Sequence, residues 1–326
     1  MKKYALVVTL AAASGLFASP AAGESPFGRF AVFSLGDIGN TEQPYHSDFQ
    51  GVGAAAGSAV FFGMSLNDLG LPAGEVSFFA GGDFTFTGSI RHGGVEAGGE
   101  VTMMGVSIEG DLKAGGDVAG NGGSIDGDVE AAGSISLTSL TVGGETKQGE
   151  PFSPTEDLGA ASEFFLERSD HYASLAPTGT PDIGGQVVFD AGPGRNVFEI
   201  AASDMDAAWG AAIRGPAGAT IIVNVLGVSG ALTNMDWQVT GGAGLTGVLV
   251  HFPEATSLEI QGVALFGNIL APRAATYFPA GLVVGGLWVG DLQGGGQVNY
   301  GTFVEPDETP TSTHSTSWGA IKKTFR

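Results

Sequence analysis

A repeat of 17 residues constrains this sequence more than any other feature. Four units follow one another without insertion and cover residues 80–147. They read AGGDFTFTGSIRHGGVE, AGGEVTMMGVSIEGDLK, AGGDVAGNGGSIDGDVE and AAGSISLTSLTVGGETK. A fixed period in which short apolar runs alternate with glycines is typical of a solenoid whose units stack on one another. We therefore predict an all-β fold, a right-handed β-helix with neighbouring turns ~4.8 Å apart.

Two positions of the unit predict how the turns stack. The fifth residue is always apolar and predicts an inward ladder of side chains, namely Phe84, Val101, Val118 and Ile135. The fourteenth is always glycine, as a corner with a positive φ or no room for a Cβ requires; these are Gly93, Gly110, Gly127 and Gly144. The twelfth residue is apolar except for Arg91 in the first unit, where we expect a one-residue slip that brings in Ile90.

Acidic side chains also recur at fixed positions. The fourth position holds Asp83, Glu100 and Asp117, and the fifteenth holds Asp111, Asp128 and Glu145. Turns in register would place each set in a column with ~5 Å between carboxylates. Oxygen clusters of this kind bind hard cations, so Asp83, Glu100, Asp117, Asp111 and Asp128 are candidate calcium ligands. The alternative is that they are solvated turn acids, because Asp favours turns and the sequence has no EF-hand loop.

The last residue of the unit alternates in charge. It is Glu96, Lys113, Glu130 and Lys147 in successive units. Stacked turns would bring these side chains together as a ladder of ion pairs, each weak at ~0.2–1 kcal/mol. We predict that this ladder fixes the register of the turns.

The remainder of the sequence predicts one long helix and further strands. Ser153-Pro154-Thr155-Glu156 resembles a capping box and begins a predicted helix over about residues 154–175, which flanks or caps the solenoid. From Gly185 to Phe303 short apolar runs return without the 17-residue phase. The run from Thr220 to Val225 is apolar at nearly every position, which is typical of a strand buried on both faces. We predict a single domain over residues 24–304.

Both ends of the sequence indicate export. Lys2 and Lys3 precede an apolar run and then small residues, as in a secretory signal peptide over residues 1–23. We therefore predict a secreted or cell-envelope protein, with no transmembrane segment in the mature chain. A Pro/Ser/Thr linker over 305–317 leads to a short tail, residues 318–326, that we interpret as a docking tag for envelope sorting machinery. Unchanged partitioning between medium and cells after deletion of residues 317–326 would exclude that role.

Charge and cysteine content exclude several classes of function. The 34 acidic residues against 13 basic ones give a net charge of −21, so no electrostatic footprint for nucleic acid exists. The absence of cysteine excludes disulfides, thiolate metal sites and a cysteine nucleophile.

Several short motifs, in order, resemble the choice-of-anchor A family of exported bacterial proteins. They are FAVFSLGD at 30–37, the AGGD region, FPEATSL at 252–258, NILAPRA at 268–274 and GGGQVNY at 294–300. The similarity covers roughly residues 27–304. The chain departs from it at His251, where the family pattern has Asn. The resemblance implies an adhesive or structural surface module and supplies no catalytic residues.

Other motifs give little support for catalysis. The five histidines, His46, His92, His171, His251 and His314, lie in separate segments and are predicted to be surface or loop residues. A Ser/His/Asp triad stays open, because triads assemble in space, but no G-x-S-x-G elbow is present. Basic residues are few and scattered, which disfavours a lyase on acidic sugars, whereas a glycosidase needs only two acids. The sequence also gives little support for ice binding, because a Thr-x-Thr pattern occurs in only one unit, at Thr85 and Thr87.

The sequence therefore predicts an exported, non-catalytic adhesive or structural protein. It would bind an extracellular matrix, glycan or envelope component through a β-solenoid. No cofactor other than calcium is expected. The alternative is a secreted carbohydrate-active hydrolase or lyase on a β-helix.

Overall fold

The structure is a computed structural model that describes residues 25–67 and 75–305. The predicted signal peptide, nearly all of the predicted linker and the tail lie outside these residues. The described chain is mostly β, with long sheets of parallel strands and few helices. None of the helices in this part of the chain is long and apolar enough to cross a membrane.

The first half alternates longer and shorter strands. Its elements are α1 (Pro26–Arg29), β1 (Val32–Ser34), β2 (Gly53–Ala55), β3 (Ala59–Leu66), β4 (Val76–Ala80), β5 (Phe84–Ile90), β6 (Gly94–Ala97), β7 (Val101–Ile108), β8 (Leu112–Ala114), β9 (Val118–Ile125), β10 (Val129–Ala131), β11 (Ile135–Val142) and β12 (Thr146–Gln148). The longer strands form a five-stranded parallel sheet in the order β11-β9-β7-β5-β3. The shorter strands join a 15-stranded sheet, so each repeat unit contributes to two sheets.

The predicted inward ladder is confirmed. Phe84 pairs with Val101, Val101 with Val118, and Val118 with Ile135. Ile135 is only partly buried because it belongs to the last strand of the sheet. The slip in the first unit is also confirmed, because the register shifts after Phe86 and Ile90 pairs with Ile108.

The charge ladder also forms in register. Glu96, Lys113, Glu130 and Lys147 pair in turn along β6, β8, β10 and β12. Lys147 Nζ lies 3.0 Å from Glu130 Oε1, and this contact raises the pKa of Lys147. Glu96 differs from the others because it is buried, and its Oε2 accepts hydrogen bonds from the Thr155 amide and hydroxyl.

The predicted helix forms as α2 (Leu158–Ser174), later than its predicted start. Asp157 caps it by accepting the Ala160 amide, so the predicted capping box at 153–156 is wrong. Thr155 is unavailable as a first-turn residue because it binds Glu96 instead. With 17 residues the helix is ~25 Å long, a length equal to about five strand spacings.

Strands continue through the second half. Its elements are β13 (Asp182–Ile183), β14 (Gln186–Asp190), β15 (Arg195–Ala201), α3 (Ala202–Ala207), β16 (Gly210–Arg214), β17 (Thr220–Leu226), β18 (Ser229–Thr233), β19 (Asp236–Thr240), a 3₁₀ turn (Leu245–Gly247), β20 (Val248–His251), β21 (Ser257–Phe266), β22 (Asn268–Val284), β23 (Leu287–Gly294) and β24 (Gln297–Asn299). The apolar stretch from Leu282 to Val289 is divided by Gly285 and Gly286 into the end of β22 and the start of β23.

The two halves meet at the first strand. The large sheet runs β12-β10-β8-β6-β4-β2-β1-β23-β22-β20-β17-β15, so β1 lies between its sequence neighbour β2 and the late strand β23. From β1 the chain adds strands towards one end of the sheet, which is β12. It then passes through α2 and adds strands from the other end, β15, until β23 pairs with β1.

The large sheet is buried on both faces along much of its length, as predicted for Thr220–Val225. Ile221 and Val223 belong to the core between the sheets, whereas Ile222 points into a second cluster under α2. Trp288 is central to that second cluster and packs against Phe27 and Phe165 at ring-centroid distances of 4.5 and 5.7 Å. Helix α2 thus flanks the sheet by covering its outer face.

The glycine at position 14 is required by close packing. A Cβ on Gly110 would overlap the backbone of Gly93 and Gly94 in the preceding turn. We expect Gly110→Ala to lower the free energy of unfolding by about 2–3 kcal/mol, because backbone atoms cannot move aside. Gly192→Ala is the control, since a Cβ there meets no atom closer than 3.8 Å. Urea unfolding measures both, and equal stabilities would contradict this account.

Candidate functional site

The recurring aspartates bind the backbone of the next turn. The Oδ1 of Asp83 accepts the Glu100 amide, and Asp111 and Asp128 accept the amides of Asp128 and Glu145, all at 2.7–2.8 Å. Asp117 accepts both the amide and the hydroxyl of Ser134, which lowers the pKa of Asp117. Each donor follows its acceptor by 17 residues, so each bond joins consecutive units. Glu100 makes no such bond among the described residues.

A glycine precedes every one of these donors. A Cβ on Gly99, Gly127, Gly133 or Gly144 would overlap the bound Oδ1 of the aspartate in the preceding unit. The same pairing occurs outside the repeat, where Asp37 accepts the Ser58 amide next to Gly57 and Asp291 accepts the Asp37 amide next to Gly36. We call this arrangement the aspartate–glycine contact. The spacing of the aspartates and glycines is visible in the sequence. The sequence does not show that each aspartate accepts a hydrogen bond from a backbone amide.

The described residues offer no ready metal site. Within 25–67 and 75–305, no group of three or more His, Cys, Asp or Glu side chains is arranged to hold a metal ion. The five calcium candidates lie at turns, where Asp128 is partly buried and the other four are exposed, and four of the five each give one oxygen to a backbone amide. Calcium binding at these positions stays a prediction for solution experiments.

The outward side of the five-stranded sheet, which we call the neutral face, lacks charge. No Asp, Glu, Lys or Arg occurs in any of β3, β5, β7, β9 or β11, although the chain carries a net charge of −21. Outward positions hold small or hydroxyl side chains, with exceptions such as the exposed Phe62 and Met104. The recurring acids at positions 4 and 15 of the unit lie at the turns that border this face.

Hydroxyl groups align across the neutral face. Ser65, Ser89, Ser107, Ser124 and Thr141 pair in sequence, one from each strand. A second column is Thr85, Thr102, Ala119 and Ser136. The first column was missed in the sequence because Ser89 is one position out of phase. The slip already predicted for Ile90 would have aligned it.

A buried serine–histidine pair lies beneath α2. Ser169 Oγ is 2.8 Å from His251 Nε2, and His251 Nδ1 is 2.8 Å from Asn224 Oδ1. Asn224 Nδ2 donates to the Tyr172 carbonyl, which leaves its Oδ1 as the acceptor for the Nδ1–H of His251. His251 Nε2 then accepts the Ser169 hydroxyl proton. The prediction of a surface or loop position is therefore wrong for His251.

This triad-like arrangement clamps the helix to the sheet. Ser169 and His251 are both 0% exposed, so no substrate reaches the hydroxyl. Arg273 Nη1 donates to Ser169 Oγ at 3.2 Å, and its Nη2 binds Asp170 at 2.7 Å. Burial, with a smaller effect of the Arg273 charge, lowers the pKa of His251 to about 3. The imidazole therefore stays neutral at ordinary pH.

Comparison with known proteins identifies a family. A family model described as "Putative Ice-binding-like adhesive domain" matches residues 23–300. No curated protein matches the chain.

Solved structures give loose matches over most of the chain. An ice-binding protein from the Antarctic ascomycete Antarctomyces psychrotrophicus is 10% identical over 87% of this chain and 97% of that one, with a TM-score of 0.31. An ice-binding protein from an Antarctic Flavobacteriaceae bacterium is 9% identical over 87% of this chain and 98% of that one, with a TM-score of 0.27. A possible adhesin C-terminal domain from Caldicellulosiruptor kronotskyensis is 12% identical over 88% of this chain and 94% of that one, with a TM-score of 0.25. At these TM-scores no site can be transferred.

Asp111 tests the aspartate–glycine contact against calcium binding. We expect Asp111→Ala to lower the free energy of unfolding by about 1 kcal/mol without calcium, and Asp111→Asn by less, because Asn keeps an acceptor oxygen. Thermal melts in chelator measure both. The same melts in millimolar calcium test the metal: a rise in Tm of the wild type that both variants lose would assign a calcium role.

His251 should make stability depend on pH. Its pKa is about 3 in the folded chain and 6.5 when exposed, so only the unfolded chain binds this proton between those values. The free energy of unfolding should therefore fall as the pH drops from 6.5 towards 3, by up to about 1.4 kcal/mol per unit. Urea titrations over this pH range should give a shallower slope for His251→Gln than for the wild type. Equal slopes for His251→Gln and wild type would contradict the assignment.

Proposed function

The chain belongs to the family described as "Putative Ice-binding-like adhesive domain", and we propose that it is an exported, non-catalytic adhesive that touches its target with the neutral face. Family membership supports the adhesive role. The lack of charge on the neutral face carries the proposal for where contact occurs. Export rests on the predicted signal peptide, and the finer assignment to choice-of-anchor A proteins rests on the motifs quoted above.

An uncharged face suits adhesion for an electrostatic reason. Bringing a surface into contact removes water from both sides, and unpaired charges resist that loss. Protein interfaces are likewise depleted of charged residues at their centres. The acidic turns keep the rest of the molecule soluble and discourage association through other surfaces. Contact is thereby directed to the neutral face.

The proposed scaffold is a right-handed β-solenoid. Parallel strands with matched partners from successive units support it. The aspartate–glycine contacts and the Glu96–Lys147 ladder join neighbouring units at the turns. A stack of this kind holds its outward side chains at a fixed spacing of ~4.8 Å, which favours contact with an extended surface. The target is a matrix, glycan or envelope component, and the tail at 318–326 is a sorting tag.

Ice is a second candidate target. The hydroxyl column from Ser65 to Thr141 crosses all five strands at the strand spacing. The neighbouring row of outward side chains is less regular, because it contains the paired residues Met104 and Asn121 in place of hydroxyl side chains. A periodic array of hydroxyls favours ordered water, whereas Met104 disfavours a close match to a lattice.

Charge placed on the neutral face should abolish adhesion whatever its sign. Beads coated with the mature chain are passed over an uncharged polystyrene film, and retention under shear is counted. We expect Ser107→Lys and Ser107→Glu each to lower retention by about tenfold or more, because a charge at the contact must be desolvated. Ala173→Lys and Ala173→Glu, on the exposed side of α2, are matched controls that should retain adhesion.

Partition of the same proteins into slowly growing ice separates the two targets. Uptake by ice that both Ser107 variants lose would favour the ice candidate. Retention on polystyrene that all four variants share would contradict adhesion through the neutral face.

A further inference from the structure

A groove of about 740 Å³ opens in the second half of the molecule, at the outer side of β18, β21 and β22. We propose that it binds an uncharged saccharide chain. Helix α3 and the loop after β17 form one wall, and strand residues including Glu259 and Tyr277 form the floor. The groove lies apart from the neutral face, which is built from other strands.

An exposed aromatic ring is the central feature of the floor. Tyr277 is 50% exposed although it lies in the middle of the 17-residue strand β22. It pairs with Glu259 on β21 and with Gln293 on β23. A carboxylate and a carboxamide therefore flank the ring, each one strand spacing of ~4.8 Å away. Large exposed apolar groups on one side of a protein commonly mark binding surfaces.

The wall adds apolar surface that nothing in the described chain covers. Val228 is 70% exposed and Leu226 is 36% exposed, and both line the groove. The loop is held in place, because the Val228 carbonyl accepts hydrogen bonds from the amide and hydroxyl of Thr256 at 2.9 and 3.2 Å. The apolar side chains are thus presented by a backbone fixed to the sheet.

The polar groups of the groove are not used by the fold. Among the described residues, the side chains of Tyr277, Glu259 and Asp206 make no hydrogen bond or ion pair with the rest of the protein. The aspartates of the repeat differ, since Asp111 and Asp128 each bind a neighbouring amide. Two carboxylates and a phenol are consequently free to accept and donate hydrogen bonds to a ligand.

This combination selects the chemistry of the ligand. Among the described residues, two carboxylates and no Lys or Arg line the groove, so anionic chains are repelled. An apolar ligand would leave those carboxylates desolvated and unpaired. A neutral sugar satisfies both requirements, because its C–H face packs on Tyr277 and Val228 while its hydroxyls donate to Glu259 and Asp206. Binding sites commonly combine apolar walls with a few polar groups in this way.

Native gel electrophoresis in polysaccharide tests the proposal. The mature chain is run through gels containing dextran, mannan, xylan or laminarin, which are neutral, or polygalacturonate, which is anionic. We expect at least one neutral polysaccharide to retard the protein, and Tyr277→Ala to weaken that binding about tenfold or more, as truncation of a central aromatic usually does. Tyr277→Phe should keep most of it, and Glu259→Gln should weaken it.

The controls separate this site from the adhesive face. Ser107→Lys should bind polysaccharide like the wild type even where it loses adhesion, so the two proposals can fail independently. Retardation by no neutral polysaccharide, unchanged binding by Tyr277→Ala, or stronger retardation by polygalacturonate would each overturn the proposal. Release of new reducing ends from a retained polysaccharide would overturn it as well, because the groove would then be catalytic.

Discussion

The structure of the repeat depends on one recurring interaction, the hydrogen bond from a backbone amide to an aspartate in the preceding unit. Asp111 and Asp128 illustrate it, since Asp128 donates its amide to Asp111 and accepts the amide of Glu145 with its own carboxylate. A glycine before each donor leaves space for the carboxylate. The units are therefore joined at their turns as well as along their strands, without disulfides. Each such bond also gives a hydrogen-bond acceptor to a turn amide.

The same interaction separates charge on the molecular surface. Because the aspartates must lie at the turns to reach the next unit, the negative charge collects along the borders of the long strands. The strands between those borders carry no charged residue at all. One requirement of folding thus leaves a broad neutral side on a strongly acidic protein. In the second half of the chain, Glu259 and Asp206 do not bind a neighbouring amide in this way, and they line a groove.

The repeat could be predicted from sequence because its interactions are local to a fixed period. The stacking of Phe84 on Val101 and the slip at Ile90 follow from position alone. The register of the second half could not, because its paired residues are separated by unequal stretches of chain, as for Arg195 with Thr220 and Ile269 with Leu287. Strand β22 illustrates this, since it contains Pro272, which disfavours a central strand, and its pairing with β23 is interrupted between Ala271 and Ala275.

Single residues were mispredicted where tertiary contacts replaced local ones. The helix start moved to Asp157 because Thr155 found a partner in the distant Glu96. His251 is buried because Ser169 and Asn224, far away in sequence, satisfy both of its nitrogens. Neither partner has a spacing that a sequence pattern could reveal. The neutral face was also missed, because absence of charge becomes meaningful only after the strands are placed side by side.

Blocking the neutral face is the most direct test of how the protein adheres. The natural chain contains no cysteine, so Ser107→Cys and Ala173→Cys each give one unique thiol. Each variant is coupled to a maleimide-linked polyethylene glycol chain, and bead retention under shear is measured before and after coupling. The account predicts that the polymer abolishes adhesion at position 107 and leaves it intact at position 173. Equal adhesion of the two coupled proteins would contradict a role for the neutral face.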